Sequence, residues 1–281
     1  MMAAAGMLVT TSSYAQSYNL VMTVAEAPTQ TNSTLADTSV ETFNSLSVGD
    51  HTNVTWSGVG TYNKVSILAA NQYGGAAGPG YASGSPYAVA STSSSLGGIA
   101  AYTLTLNDPV AYFGLWWSAG DPANVLTFFN GTNQVAQFTT ANLVNRLPSA
   151  YNGNPTPGSN LGLDYGEKFA FINFFGVSGT TFTSVQFSNL GGSGFENDNN
   201  TIRAASYGSD TNDIGTILPG APIEEILSVN GSQTIITNAA SFQAPVDINA
   251  QPAPEPGVNA LLAMAGVVGA VWYGRRRPAK A

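Results

Sequence analysis

The chain has 281 residues, 16 acids against 8 bases, one histidine and no cysteine. Without thiols it has no disulfides, no thiolate metal sites and no cysteine nucleophile, and a lone His51 rules out histidine-rich metal centres. The bases gather at one end, where Arg275, Arg276, Arg277 and Lys280 stand together. That leaves Lys64, Arg146, Lys168 and Arg203 against 15 acids before Pro254, a body that repels phosphate backbones and does not suit nucleic acid.

Residues 1–15 read as a signal peptide with a truncated start. A short apolar stretch from Ala3 to Val9 precedes Ser13-Tyr14-Ala15, a small-x-small cleavage pattern, but no base comes before it. The body, residues 16–244, is written in short strand-like runs. Residues 18–24, 54–56 and 64–69 come first, and a Gly- and Ser-rich stretch between Gln72 and Gly98 predicts a long surface loop. Its glycines are followed by neither Lys-Ser nor Lys-Thr, so no phosphate loop is present. Residues 102–106 and 111–117 follow as strands. Residues 125–129 and 134–138 predict a hairpin around Asn130-Gly131, because both residues accept positive φ. Thr139 or Thr140 offers an N-cap for one short helix ending before Pro148. Residues 169–175 are apolar on both faces, as in a central strand, and 181–188 alternate. Residues 235–237 predict a last short strand. Short strands with turns every 8–12 residues or so predict an all-β fold, a β-sandwich of jelly-roll type.

Chemistry has few candidates in this body. No Gly-x-Ser-x-Gly elbow exists, and His51 lies in a polar turn-like stretch. Glu196, Asp198 and Asn199 belong to the densest run of hard oxygen ligands and form a candidate calcium set, calcium being the one cofactor the sequence nominates. The simpler reading of the same run is a turn held by Asp and Asn side chains. Glu167, Glu196 and Asp198 offer carboxylate pairs of the kind a glycan-cleaving enzyme uses. Tyr112, Trp116 and Trp117 are candidates for stacking on sugar rings. Adjacent tryptophans on a strand point to opposite faces, so one is expected in the core and the other partly exposed.

The C-terminus carries the most specific signal. Residues 245–256 are a Pro-rich linker that ends in Pro254-Glu255-Pro256. The apolar run 257–274 makes a helix of roughly 27 Å, matching a ~30 Å hydrocarbon core. Trp272 and Tyr273 suit the headgroup layer, and Arg275, Arg276 and Arg277 hold the end of 257–281 on the cytoplasmic side. This order of motif, membrane helix and basic cluster resembles the PEP-CTERM sorting signal of Gram-negative bacteria. The resemblance implies an exosortase as processing partner, a transient inner-membrane anchor, and release to the cell surface. Within the body, residues 112–121 (Tyr112 to Asp121), 128–131 and 194–199 resemble a family of exosortase-dependent surface proteins, which implies a location and little chemistry. The expectation is an exported, non-enzymatic surface or matrix protein. A carbohydrate-binding sandwich that recognises exopolysaccharide is the alternative, and a glycan-active enzyme comes third.

Overall fold

The computed structural model describes residues 19–25, 27–144, 147–177, 179–189, 191, 193–203 and 224–228. The expected signal peptide, the strand expected at 235–237, the Pro-rich linker and the C-terminal segment with Pro254, Glu255, Pro256, Trp272, Tyr273 and Arg275 to Arg277 lie outside them. Among the described residues no helix is long and apolar enough to cross a membrane.

The strands are β1 (Asn19–Val24), β2 (Ser39–Glu41), β3 (Gly49–Trp56), β4 (Gly60–Leu68), β5 (Tyr87–Ser91), β6 (Ala101–Val110) and β7 (Tyr112–Gly120). After these come β8 (Asn124–Asn130), β9 (Asn133–Thr139), β10 (Lys168–Val177), β11 (Phe182–Asn189), β12 (Gly194–Arg203) and β13 (Glu224–Ser228). The fold is all-β. Hydrogen bonds join the strands into one antiparallel sheet in the order β13-β1-β10-β7-β12-β5-β4-β6-β11-β8-β9, with β2 on β12 and β3 on β4. The sheet curls until β9 stands beside β1 and β13. Rings from its two halves then meet: Phe128 of β8 packs 4.9 Å from Phe174 of β10, and Phe187 of β11 packs 5.8 Å from Phe195 of β12.

Two apolar clusters result. The larger fills the inside of the curl with Tyr62, Tyr102, Phe113, Trp117, Phe128, Phe174 and Phe187 among its members. The smaller lies on the other face of β7 and β10, where Trp116, Phe169 and Phe171 pack with Ala25, Ala76 and Ala119. β7 and β10 are therefore covered on both faces, as the unbroken apolar run 169–175 requires.

Several local readings change in the fold. The hairpin at Asn130-Gly131 forms, with Asn130 opposite Asn133 and Gly131 at φ 59°. Of the expected helix, the described residues show Ala141–Val144 (α1). The Thr140 hydroxyl donates to the carbonyls of Asp121 (2.5 Å) and Asn124 (3.1 Å), so it ties the turn to β8 instead of capping. The stretch between Gln72 and Gly98, expected as a surface loop, contains the fully buried central strand β5. The polar run 196–200, read from sequence as a calcium set or a turn, lies within strand β12, which is buried from Gly194 to Ile202.

β12 tolerates burial because its amide N–H groups and the Asp198 carboxylate find partners, although the buried Asn197 Oδ1 and Asn200 Oδ1 have none among the described residues. Asn197 Nδ2 donates to the Tyr102 hydroxyl at 2.6 Å, and Asn200 Nδ2 to that of Tyr62 at 3.1 Å. Both phenols gain the bond a buried hydroxyl needs, and burial pushes both above the ordinary tyrosine range. Asn197 and Asn200 both face the core although three residues apart. An extra residue between Asp198 and Thr201, with Asn199 at φ 49°, forms a bulge that shifts the alternation.

Candidate functional site

A cleft of about 380 Å³ opens where the ends of β7, β12, β5 and β10 come together. Its lining includes Tyr73, Ser93, Asp121, Glu167, Gly194 and Glu196. A volume of that size falls in the small-molecule range. Pairing brings the chain ends together: Lys168 stands opposite Gly120, Ser91 opposite Gly194, and Ser118 opposite Glu196. An extra residue in β7 between Trp117 and Gly120, with Ala119 at φ 45°, bends the strand just before Asp121.

Each acid in the cleft has a different setting. Asp121 is supplied with donors: the Ala123 N–H at 2.6 Å, Asn124 Nδ2 at 3.4 Å and the Ser193 hydroxyl. Glu196 is 5 % exposed, and the donor to its carboxylate is its own backbone N–H. Its side chain folds back over Gly194, so that a Cβ on Gly194 would stand 1.8 Å from Glu196 Oε1. Burial, with Asp121, Glu167 and Asp164 nearby, raises Glu196 well above the usual carboxylate range. Glu167, half-buried, is pushed up to about 8 by burial and by the Asp164 carboxyl with which it shares a hydrogen bond. Asp164 Oδ2 is buried and, among the described residues, accepts no bond from a protein donor. Lys168, next in sequence, is turned away: its ammonium donates to the carbonyls of Leu147 (2.9 Å) and Pro148 (3.2 Å) and to Asn152 Oδ1.

The rim carries exposed aromatics. Tyr73, 40 % exposed, belongs to the cleft lining, and Tyr165, 67 % exposed, lies two residues before Glu167. The two loops are tied together, since Asn154 Nδ2 donates to the carbonyls of Asn71 and Gln72 while Asn154 N–H donates to Leu163 O.

Of the carboxylates read from sequence, Glu167 and Glu196 meet in this cleft and Asp198 does not. Asp198 is sealed: Oδ2 accepts the Ala76 N–H (2.9 Å) and the Ser85 hydroxyl (2.7 Å), and Oδ1 accepts the Asn199 N–H (2.7 Å). Burial still raises it to about 7. Asn199 spends its amide on the Thr31 carbonyl at 2.8 Å. Glu196, Asp198 and Asn199 therefore do not converge as a calcium set, and among the described residues no three acidic or imidazole groups are arranged to hold a metal ion.

The stacking candidates also change. Tyr112, Trp116 and Trp117 are all at 0 % exposure, so none has a face to offer a sugar. Trp117 sits inside the curl with its indole N–H on Asn124 Oδ1 at 2.8 Å. Trp116 is covered by Phe169 and the smaller cluster, and Tyr112 donates to Asn173 Oδ1 at 2.7 Å. The expectation of one exposed tryptophan fails because loops cover the second face of β7. His51 lies on β3, its ring bonded to the Ser47 carbonyl at 2.7 Å, and is not among the residues of the cleft.

Asp121, Asp164 and Tyr73 were not singled out from sequence. Asp121 had a local signal, an acid with Gly before and Pro after it at the end of an aromatic strand. Tyr73 and Asp164 had none.

No family model matches the chain, and no curated protein matches it. Among solved structures it is similar to the catalytic domain of a GH87 alpha-1,3-glucanase in complex with tetrasaccharides, at a TM-score of 0.31 and 14 % identity. That match covers 66 % of this chain and 29 % of the other, and a likeness this slight carries no argument about function.

Proposed function

We propose that the chain is an exported surface protein of the PEP-CTERM kind whose body binds a saccharide in the acidic cleft without cleaving it. In this reading the curled sheet is a jelly-roll-like scaffold. Residues 257–274 park the precursor in the inner membrane, and an exosortase processes it near Pro254-Glu255-Pro256. The observation that carries the binding role is the lining of the cleft, where Tyr73 stands beside Glu167, Glu196, Asp121 and several serines. An aromatic face covers the apolar side of a sugar ring, while carboxylates and hydroxyls accept and donate to its hydroxyl groups.

Affinity electrophoresis of the full-length chain through the host's exopolysaccharide tests the binding. Retardation is expected, and Tyr73→Ala weakens it about tenfold, on the order of 1.4 kcal/mol. Unretarded migration of the unmodified protein would refute the role. Mass spectrometry of the mature protein tests the sorting. Loss of residues 257–281 is expected, and their retention reduces the tail to a plain anchor. Release of sugar fragments that stops on Glu196→Gln would overturn the binding-only reading.

A further inference from the structure

The carboxyl groups of Asp121, Glu167 and Glu196 bear on one cleft, with Asp164 bonded to Glu167, and no base is among the described residues of the lining. Like-charged groups withdrawn from water are costly unless they hold protons or a cation enters among them. Hydrogen-bond supply within the cleft is uneven. Asp121 accepts from Ala123 N–H, Asn124 Nδ2 and the Ser193 hydroxyl, whereas among the described residues Glu196 has its own backbone N–H as donor and the buried Asp164 Oδ2 has no protein donor. Gly194 leaves the space in which the Glu196 carboxylate lies, and both residues line the cleft, so this under-supplied acceptor is presented to an occupant. The facing groups from the packed elements are Ser118 on β7, Tyr87 on β5, and Asp121, Asp164 and Glu167 from the adjoining loops. None of them supplies a positive charge.

Among the described residues no three acids are arranged to ligate a metal ion between them. A primary ammonium has three N–H donors on a compact charge and answers separate acceptors. An aromatic face beside it adds to its binding. Resting on the saccharide reading above, we propose that the cleft selects a cationic amino sugar, whose ammonium donates to Glu196 and Glu167 while its ring lies against Tyr73. Glu167, raised to about 8, holds its proton at neutral pH, and burial shifts Glu196 in the same direction. The ammonium favours their ionised forms, so binding expels protons.

The test is a calorimetric titration of the full-length chain in detergent micelles. The probes are a glucosamine oligomer and its fully N-acetylated counterpart of equal length, each in two buffers of different protonation enthalpy. The glucosamine oligomer is expected to bind about tenfold tighter, the worth of one charged hydrogen bond, and to release protons. Glu196→Gln and Glu167→Gln each erase most of that preference. Glu167 is half-buried, so its variant remains informative if the one at Glu196 does not fold. Equal affinity for the two oligomers, or a preference that survives Glu167→Gln, overturns the amino-sugar assignment and leaves saccharide binding standing. Binding of neither oligomer, together with no retention on exopolysaccharide, removes both.

Discussion

At Gly194 the absence of one carbon shapes the cleft. Alanine there would place its Cβ 1.8 Å from Glu196 Oε1, so the carboxylate must swing away. Gly194→Ala is expected to cost about 1–3 kcal/mol as an overpacked site and to weaken ligand binding, measurable by denaturant titration and calorimetry. The acids also set a pH dependence. Glu167 is raised from 4.5 to about 8, so the folded chain keeps a proton that the unfolded chain has released. Its stabilising contribution is complete below 4.5 and disappears as pH climbs through about 8. Asp198 acts in the same sense between 3.8 and about 7. Melting temperature should therefore fall between pH 4.5 and 8, and Glu167→Gln should flatten the decline. A melting temperature that climbs across that window contradicts the assignment.

Among the elements, β12 departs most from its sequence signature. Asn and Asp are depleted in strands because their side chains compete for backbone bonds. Here those side chains instead satisfy Tyr62, Tyr102, Ala76 and Ser85, none of them near in sequence. Asn199 holds the bulge at φ 49°, a conformation costing a β-branched residue about 1–2 kcal/mol. Asn199→Val should destabilise by that amount or more, since the bond to Thr31 O is lost too. Asn199→Gly should destabilise less, because glycine restores the angle though not the bond. Chemical denaturation of the pair gives the comparison. The strands built from alternating or unbroken apolar runs, β1, β4, β6 to β8, β10 and β11, were legible because hydrophobic period is a local property. β5 and β12 were not, for their burial depends on partners elsewhere in the chain.

For the molecule as a whole, the curl places a double-sided layer, β7 and β10, between the aromatic interior and the loops that cover the cleft side. Trp117→Ala is expected to cost about 3–5 kcal/mol, as large aromatic truncations in a core do. It also leaves Asn124 Oδ1 without the indole N–H. Neighbouring strands are distant in sequence, β1 on β10 and β5 on β12. Stopped-flow refolding should therefore take milliseconds to seconds, the range of sheets dominated by non-local pairing.

The amino-acid sequence by itself determined the all-β class, the hairpin at Asn130-Gly131 and the exclusion of thiol chemistry. Each follows from composition or from a pattern a few residues long. It also suggested that Glu167 and Glu196 are acids of interest, without showing that they meet. Only the tertiary structure decided that Asp121 and Tyr73 join them, that Asp198 is sealed beneath donors, and that both tryptophans are buried. Those outcomes depend on strand order and on which loop covers which face. They are set by contacts between segments up to more than a hundred residues apart, such as Ala76 and Asp198.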